Sequence, residues 1–145
     1  MNKKFFLYLM AIVMVAMLGV NFTSCGNDDE DYGTGPVAGK WECYLTDGSS
    51  RGTLTFIFKD DNVTYIEKWS EPGYDDDIET YTGVYVVEND IISMTLTRLR
   101  DDGTSWYSNA YVFKFEINGK KLTLTANNYW AKDYFGQAPM VFTRK

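Results

Sequence analysis

The chain has 145 residues, 45% of them apolar and 23% charged, with 20 acidic against 14 basic side chains and no histidine. That length suits one globular domain, and a net charge of −6 excludes a basic nucleic-acid surface as the main theme. Without an imidazole there is no Ser-His-Asp or Cys-His catalysis, and no metal site that contains histidine.

At the start, Lys3 and Lys4 precede an unbroken apolar run from Phe5 to Val20. A positive end followed by a short apolar helix is the pattern of a secretory signal. Phe22-Thr23-Ser24-Cys25 comes next, and small residues just before a cysteine make the whole segment resemble a bacterial lipoprotein signal. The resemblance implies that residues 1–24 are a signal peptide, cleaved before Cys25, whose thiol takes a diacylglycerol and whose new N-terminus takes a palmitate-type acyl chain. The partner would be outer-membrane lipid. A plain secretory signal or an uncleaved anchor is the alternative. Removal of Lys3 and Lys4 would leave a still more acidic chain.

Asp28, Asp29, Glu30 and Asp31 follow, then Tyr32-Gly33-Thr34-Gly35-Pro36. Such a stretch buries too little apolar surface to offset the entropy of ordering. Residues 25–36 therefore read as a lipidated cysteine and an acidic tether, with a span of about 20 Å on the random-coil estimate. The acidic run resembles the surface-export signal of lipoproteins from Gram-negative gut anaerobes, which implies a lipid-anchored position on the outer membrane, at the cell surface. A solvated linker with no sorting role is the alternative. With Cys25 acylated, Cys43 is the remaining thiol, and it reads as a small buried hydrophobe.

From Val37 to Lys145 apolar residues recur at every second position, so the domain is expected to be all-β. Eight strands are predicted, at about 39–46, 52–59, 62–69, 79–87, 90–98, 106–117, 120–126 and 138–144. Leu54, Phe56 and Phe58 share one face while Thr53, Thr55 and Ile57 share the other. Tyr111, Phe113 and Phe115 likewise oppose Val112, Lys114 and Glu116, and Leu122 and Leu124 alternate with Thr123 and Thr125. One apolar and one wet face fit an antiparallel sheet and argue against a membrane-spanning barrel, whose lipid-facing side must be apolar. Sequential strands joined by turns make a meander, and eight of them remove their edges by closing into an antiparallel up-and-down β-barrel. A two-sheet sandwich is the competing arrangement.

Four short segments then carry a resemblance: Gly39-Lys40-Trp41, Gly83-Val84-Tyr85, the hairpin Ile117-Asn118-Gly119-Lys120-Lys121-Leu122-Thr123-Leu124, and Val141-Phe142-Thr143-Arg144. Together they resemble the lipocalin-like domains of lipoproteins from gut anaerobes, over most of residues 37–145. The resemblance implies a lipocalin-like barrel in which Trp41 is structural, packed at the closed end beneath a basic side chain that would here be Arg144.

In a meander the connections alternate between the two ends. The second, fourth and sixth are tight turns, whereas the third, fifth and seventh are long and gather, with the first, at the end opposite Gly39. Trp69, Tyr74, Trp106, Tyr107, Tyr129, Trp130 and Tyr134 fall in or beside these long loops and form the candidate ligand-binding rim. Acidic residues gather there too, among them Asp47, Glu71, Asp75, Asp76, Asp77, Asp101, Asp102 and Asp133. An aromatic and acidic rim suits stacking on sugar rings, capture of an amphipathic or cationic small molecule, or docking of a protein. Equally, the aromatics could plug the mouth while the acids keep it soluble. The bulky inward residues leave little space inside, so a shallow pocket at the mouth is expected.

Asp75-Asp76-Asp77 lacks the spacing of an EF-hand loop, and no phosphate-binding loop or CxxC pair is present. No cofactor or metal is expected, no catalytic residue stands out, and the reading is not that of an enzyme. The expected function is a lipid-anchored binding module for a small molecule or glycan. A protein-interaction or inhibitor domain that uses the same rim is the alternative.

Overall fold

The computed structural model describes residues 31–99 and 105–145, apart from the side chains of residues 99 and 105–107. The signal segment, Cys25, Asp28, Asp29, Glu30, Asp101 and Asp102 lie outside the described residues. Eight strands follow in chain order: β1 Gly39–Asp47, β2 Ser50–Lys59, β3 Asn62–Ser70, β4 Asp77–Glu88, β5 Ile91–Leu99, β6 Ser105–Asn118, β7 Lys121–Ala126 and β8 Met140–Arg144. Each pairs antiparallel with the next, and β8 returns to β1 through Trp41↔Arg144 and Glu42↔Thr143. The result is a closed, all-β, up-and-down barrel.

Alternation along each strand decides what lies inside. Phe56, Phe58, Tyr65, Ile92, Phe113, Leu122, Leu124 and Phe142 are all buried in one core that runs the length of the barrel. Each such side chain contributes about 1.5–3 kcal/mol on burial. Phe56 is the hub, with its ring 4.7 Å from Tyr65, 5.4 Å from Phe142 and 5.6 Å from Phe58. Cys43 is buried within this core, where loss of water pushes its thiol up from the ordinary value.

Two glycines let backbone or ring approach closely. A Cβ on Gly83 would lie 1.6 Å from the carbonyl oxygen of Thr95, so only hydrogen fits where β4 crosses β5. At Gly52 a Cβ would meet the Trp69 indole at 2.8 Å, so the ring lies against the β2 backbone at its cross-strand partner.

The tight turns sit at one end, with Asp60, Asn89 and Gly119 in the left-handed region at φ 53, 54 and 60. Asp, Asn and Gly are the residues that tolerate that conformation. The chain enters at this end, where the Tyr32 carbonyl accepts the Asp60 N–H at 2.9 Å. It is therefore in contact with the barrel from Tyr32, before the apolar pattern begins at Val37. Val37 is fully buried and its carbonyl accepts the Trp41 indole N–H at 2.8 Å. The Arg144 guanidinium lies 4.3 Å from the Trp41 ring centroid and donates to the Ala38 carbonyl at 3.1 Å.

Strand limits differ from the sequence expectation by a residue or two at most ends. β8 begins at Met140, because Pro139 has no N–H to give the ladder. The larger difference lies in the seventh connection. It carries a helix, α1, at Tyr129–Phe135, where the periodicity suggested only a loop.

Candidate functional site

The first, third and seventh connections lie at the end away from Tyr32, and α1 lies across that mouth. Asn128 starts the helix, its side-chain oxygen accepting the N–H of Ala131 at 3.0 Å and of Val112 at 3.1 Å, while its amide donates to the Ala110 carbonyl. One residue thus caps α1 and fixes it to β6. Gly136 ends it at φ 85. The residues that face the barrel are Ala131, fully buried, and Phe135 one turn on. The Phe135 ring sits 5.2 Å from Phe113, 5.3 Å from Tyr65, 5.6 Å from Tyr111 and 6.3 Å from Phe56. It stops the barrel from above, and the interior beneath it is filled by the protein's own aromatic rings.

Beside Phe135 the lining turns polar. Glu67 and Glu79 continue the inward alternation of β3 and β4. The Tyr65 and Tyr134 hydroxyls both donate to Glu67 Oε2 at 2.9 Å, and the Trp69 indole N–H donates to Glu67 Oε1 at 2.8 Å. The Tyr81 hydroxyl donates to Glu79 Oε2 at 3.0 Å, and Arg98 pairs with Glu79 Oε1 at 2.7 Å. The Tyr81 and Tyr134 hydroxyl oxygens stand 3.1 Å apart. Two hydroxyl protons therefore serve three contacts, and at any instant one of the three lacks a bridging proton. Loss of water around its hydroxyl, reinforced by the neighbouring carboxylates, pushes the Tyr134 phenol upward, and burial followed by Glu67 does the same to Tyr65. Both stay neutral donors, and Tyr134, through Glu67 and Tyr81, latches α1 to β3 and β4.

The candidate rim residues divide into groups. Trp69, half-buried near the end of β3, and Tyr74, 76% exposed in the β3–β4 loop, line one cleft of about 450 Å³ together with Asp47, Ser50, Glu71, Asp75 and Asp77. The Ser50 hydroxyl donates to Glu71 Oε1 at 2.8 Å, joining the β1–β2 turn to the β3–β4 loop. Tyr129 and Trp130 lie on the solvent side of α1 as an edge-to-face pair 5.3 Å apart. Tyr134 belongs to the latch. Trp106 and Tyr107 lie in β6, and their side chains are outside the described set.

The polar latch of Glu67, Glu79 and Arg98 was not singled out from the sequence. The signal was present, since a glutamate at an inward register after Val63 and Tyr65 must find donors. Asp76, by contrast, leaves the cleft lining and pairs with Lys68 at 3.2 Å. Bonds from Ser70 and Lys68 draw its carboxyl below the ordinary value. Among the described residues no three acidic or cysteine side chains converge as a metal site. Compared with known proteins, the chain matches no family model, no curated protein and no solved structure.

Proposed function

We propose that the protein is a lipid-anchored binding module of the cell envelope, lipocalin-like in kind, that holds a small molecule or glycan at the open end of its barrel. The observation that carries this reading is the Trp69–Tyr74 cleft. Its volume of about 450 Å³ falls in the range of small-molecule sites, and it lies between the first and third connections. The barrel interior is filled by Phe135 and its neighbours, so the rim is where a ligand has room.

An anchor at Cys25 suits this arrangement. The chain reaches the barrel at Tyr32, at the end opposite the cleft, so the cleft would face away from the lipid. Acylation is tested by radiolabelled palmitate: label on the wild type and none on Cys25→Ala is expected, and label that persists on the variant contradicts it. Substitution of Asp28, Asp29, Glu30 and Asp31 by alanine should lower surface display, read as protease accessibility on whole cells; unchanged accessibility would remove the sorting role.

One observation favours a second reading. The exposed Tyr129–Trp130 pair on α1 suits protein docking, since aromatic residues are enriched in interface centres. Mass spectrometry of what co-purifies with the chain from its native source separates the two. A small molecule retained by wild type and lost from a Trp69→Ala variant that still unfolds cooperatively supports the binding module. A co-purifying protein lost from Trp130→Ala supports docking.

A further inference from the structure

Resting on the reading of the open end as a binding rim, we propose that the Trp69–Tyr74 cleft takes a small organic cation, an alkylammonium or guanidinium compound, in preference to a neutral sugar. The argument is a count of donors and acceptors around the cavity. The indole N–H of Trp69 is already spent on Glu67, and the hydroxyl proton of Ser50 on Glu71. Among the described residues, what remains on the lining is almost entirely acceptor: the carboxylates of Asp47, Glu71, Asp75 and Asp77, with the Tyr74 hydroxyl as the one side chain still able to donate. Each sugar hydroxyl can donate its one proton to a carboxylate, but it also brings two acceptor lone pairs, and most of these would find no side-chain donor on this lining. An ammonium or guanidinium group brings only donors.

The walls and the charge agree with this count. The Trp69 ring is held on two sides, by the β2 backbone at Gly52 and by its bond to Glu67, so it presents a fixed aromatic surface, and the exposed Tyr74 lines the same cleft. Fixed aromatic surface beside negative charge is what attracts a desolvated cation. Among the described residues no lysine or arginine lines the cavity, and none of Asp47, Asp75 and Asp77 forms a salt bridge with another described residue. Asp76, the acid of this loop that does hold a lysine, is the one turned away from the cleft. A bare divalent ion does not fit, because it needs converging oxygens and the described residues supply no such group. Carboxylates spread around some 450 Å³ suit charge carried on a larger organic body.

The test is calorimetric titration of the full chain in detergent with spermidine, with maltose and calcium as comparators, at low and at physiological salt. Spermidine should saturate one site and weaken as salt rises, while maltose and calcium give no saturable heat. The double variant Asp75→Asn/Asp77→Asn, altered at loop and strand-end carboxylates rather than in the core, should weaken spermidine binding roughly tenfold. Tyr74→Ala should weaken it roughly two- to fivefold, and Tyr44→Ala, on the outer wall, should change nothing. Absence of saturable spermidine heat overturns the proposal. Heat that the double variant leaves unchanged also overturns it, by placing the cation elsewhere on an acidic protein. Saturable maltose heat lost in Tyr74→Ala would overturn the cation while leaving the binding rim in place. The rim reading itself fails on a different result, a co-purifying small molecule that Trp69→Ala and Tyr74→Ala both retain.

Discussion

At the end where the chain enters, Val37 and Trp41 are fully buried, and Arg144 stacks on the indole while donating to the Ala38 carbonyl. That closure joins the first strand to the last and leaves nothing for a ligand to replace. At the other end the stopper is a separate seven-residue helix, α1, held by one apolar wedge, Phe135, by Asn128 against β6, and by the Tyr134 hydroxyl, which reaches Glu67 and Tyr81. The first closure is built into the sheet, and the second is laid over it. The contrast explains why the ligand-sized space is outside the barrel. With Phe135 in the mouth, the larger cavity lined by described residues lies to the side, between the β1–β2 turn and the β3–β4 loop.

Trp41→Ala is the most damaging change expected, because it removes the floor of the core and the platform for Arg144. A loss of about 4 kcal/mol should appear as an earlier midpoint in urea unfolding. Phe135→Ala should cost about 2 kcal/mol, since the ring is half-buried, and it should open the interior. Binding of an apolar dye by this variant and not by wild type would mark α1 as the stopper; equal dye binding would show that the mouth is closed by something else. Tyr134→Phe keeps the packing and removes the latch bonds, for an expected loss of about 1–2 kcal/mol. If instead Tyr134→Phe is neutral, α1 is held by Asn128 and Phe135 alone.

The two ends also differ in alkali. Tyr65 and Tyr134 hold their protons more tightly when folded, chiefly because their hydroxyls are shielded from water, so their phenols are raised above the ordinary 10.0. The unfolded chain ionises first, so the stability these groups confer is complete below about pH 10 and falls as pH rises beyond it. Tyr85, beside the tight turns, is raised too, by burial and then by Asp61 and Asp60, so alkali acts on both ends. With two raised phenols against one, the open end should loosen first, read as earlier hydrogen exchange at α1 than at β1. Simultaneous exchange would remove the distinction.

Much of this was legible in the chain. Period-two alternation such as Leu54, Phe56, Phe58 fixes which side of β2 is buried, and the residues of the tight turns limit how consecutive strands can pair. The alternating loop lengths also indicate which end is open. α1 was not legible, because Tyr129–Phe135 spans only two turns and is rich in aromatics of modest helix propensity. It forms because Asn128 caps it and because Ala131 and Phe135, four residues apart, find the barrel mouth. The division of the rim aromatics was equally hidden. Trp69 and Tyr134 share Glu67 only through the closed sheet, since Tyr134 lies far along the chain from β3.

The central claim is that ligand lies in the cleft beside the stopper, neither within the barrel nor on α1. It is tested most directly by native mass spectrometry of the chain purified from its source, comparing wild type, Tyr74→Ala and Trp130→Ala, both altered at exposed side chains. The account predicts a small molecule bound to wild type and to Trp130→Ala, and bound at lower occupancy in Tyr74→Ala. A molecule retained by Tyr74→Ala and lost from Trp130→Ala would contradict it.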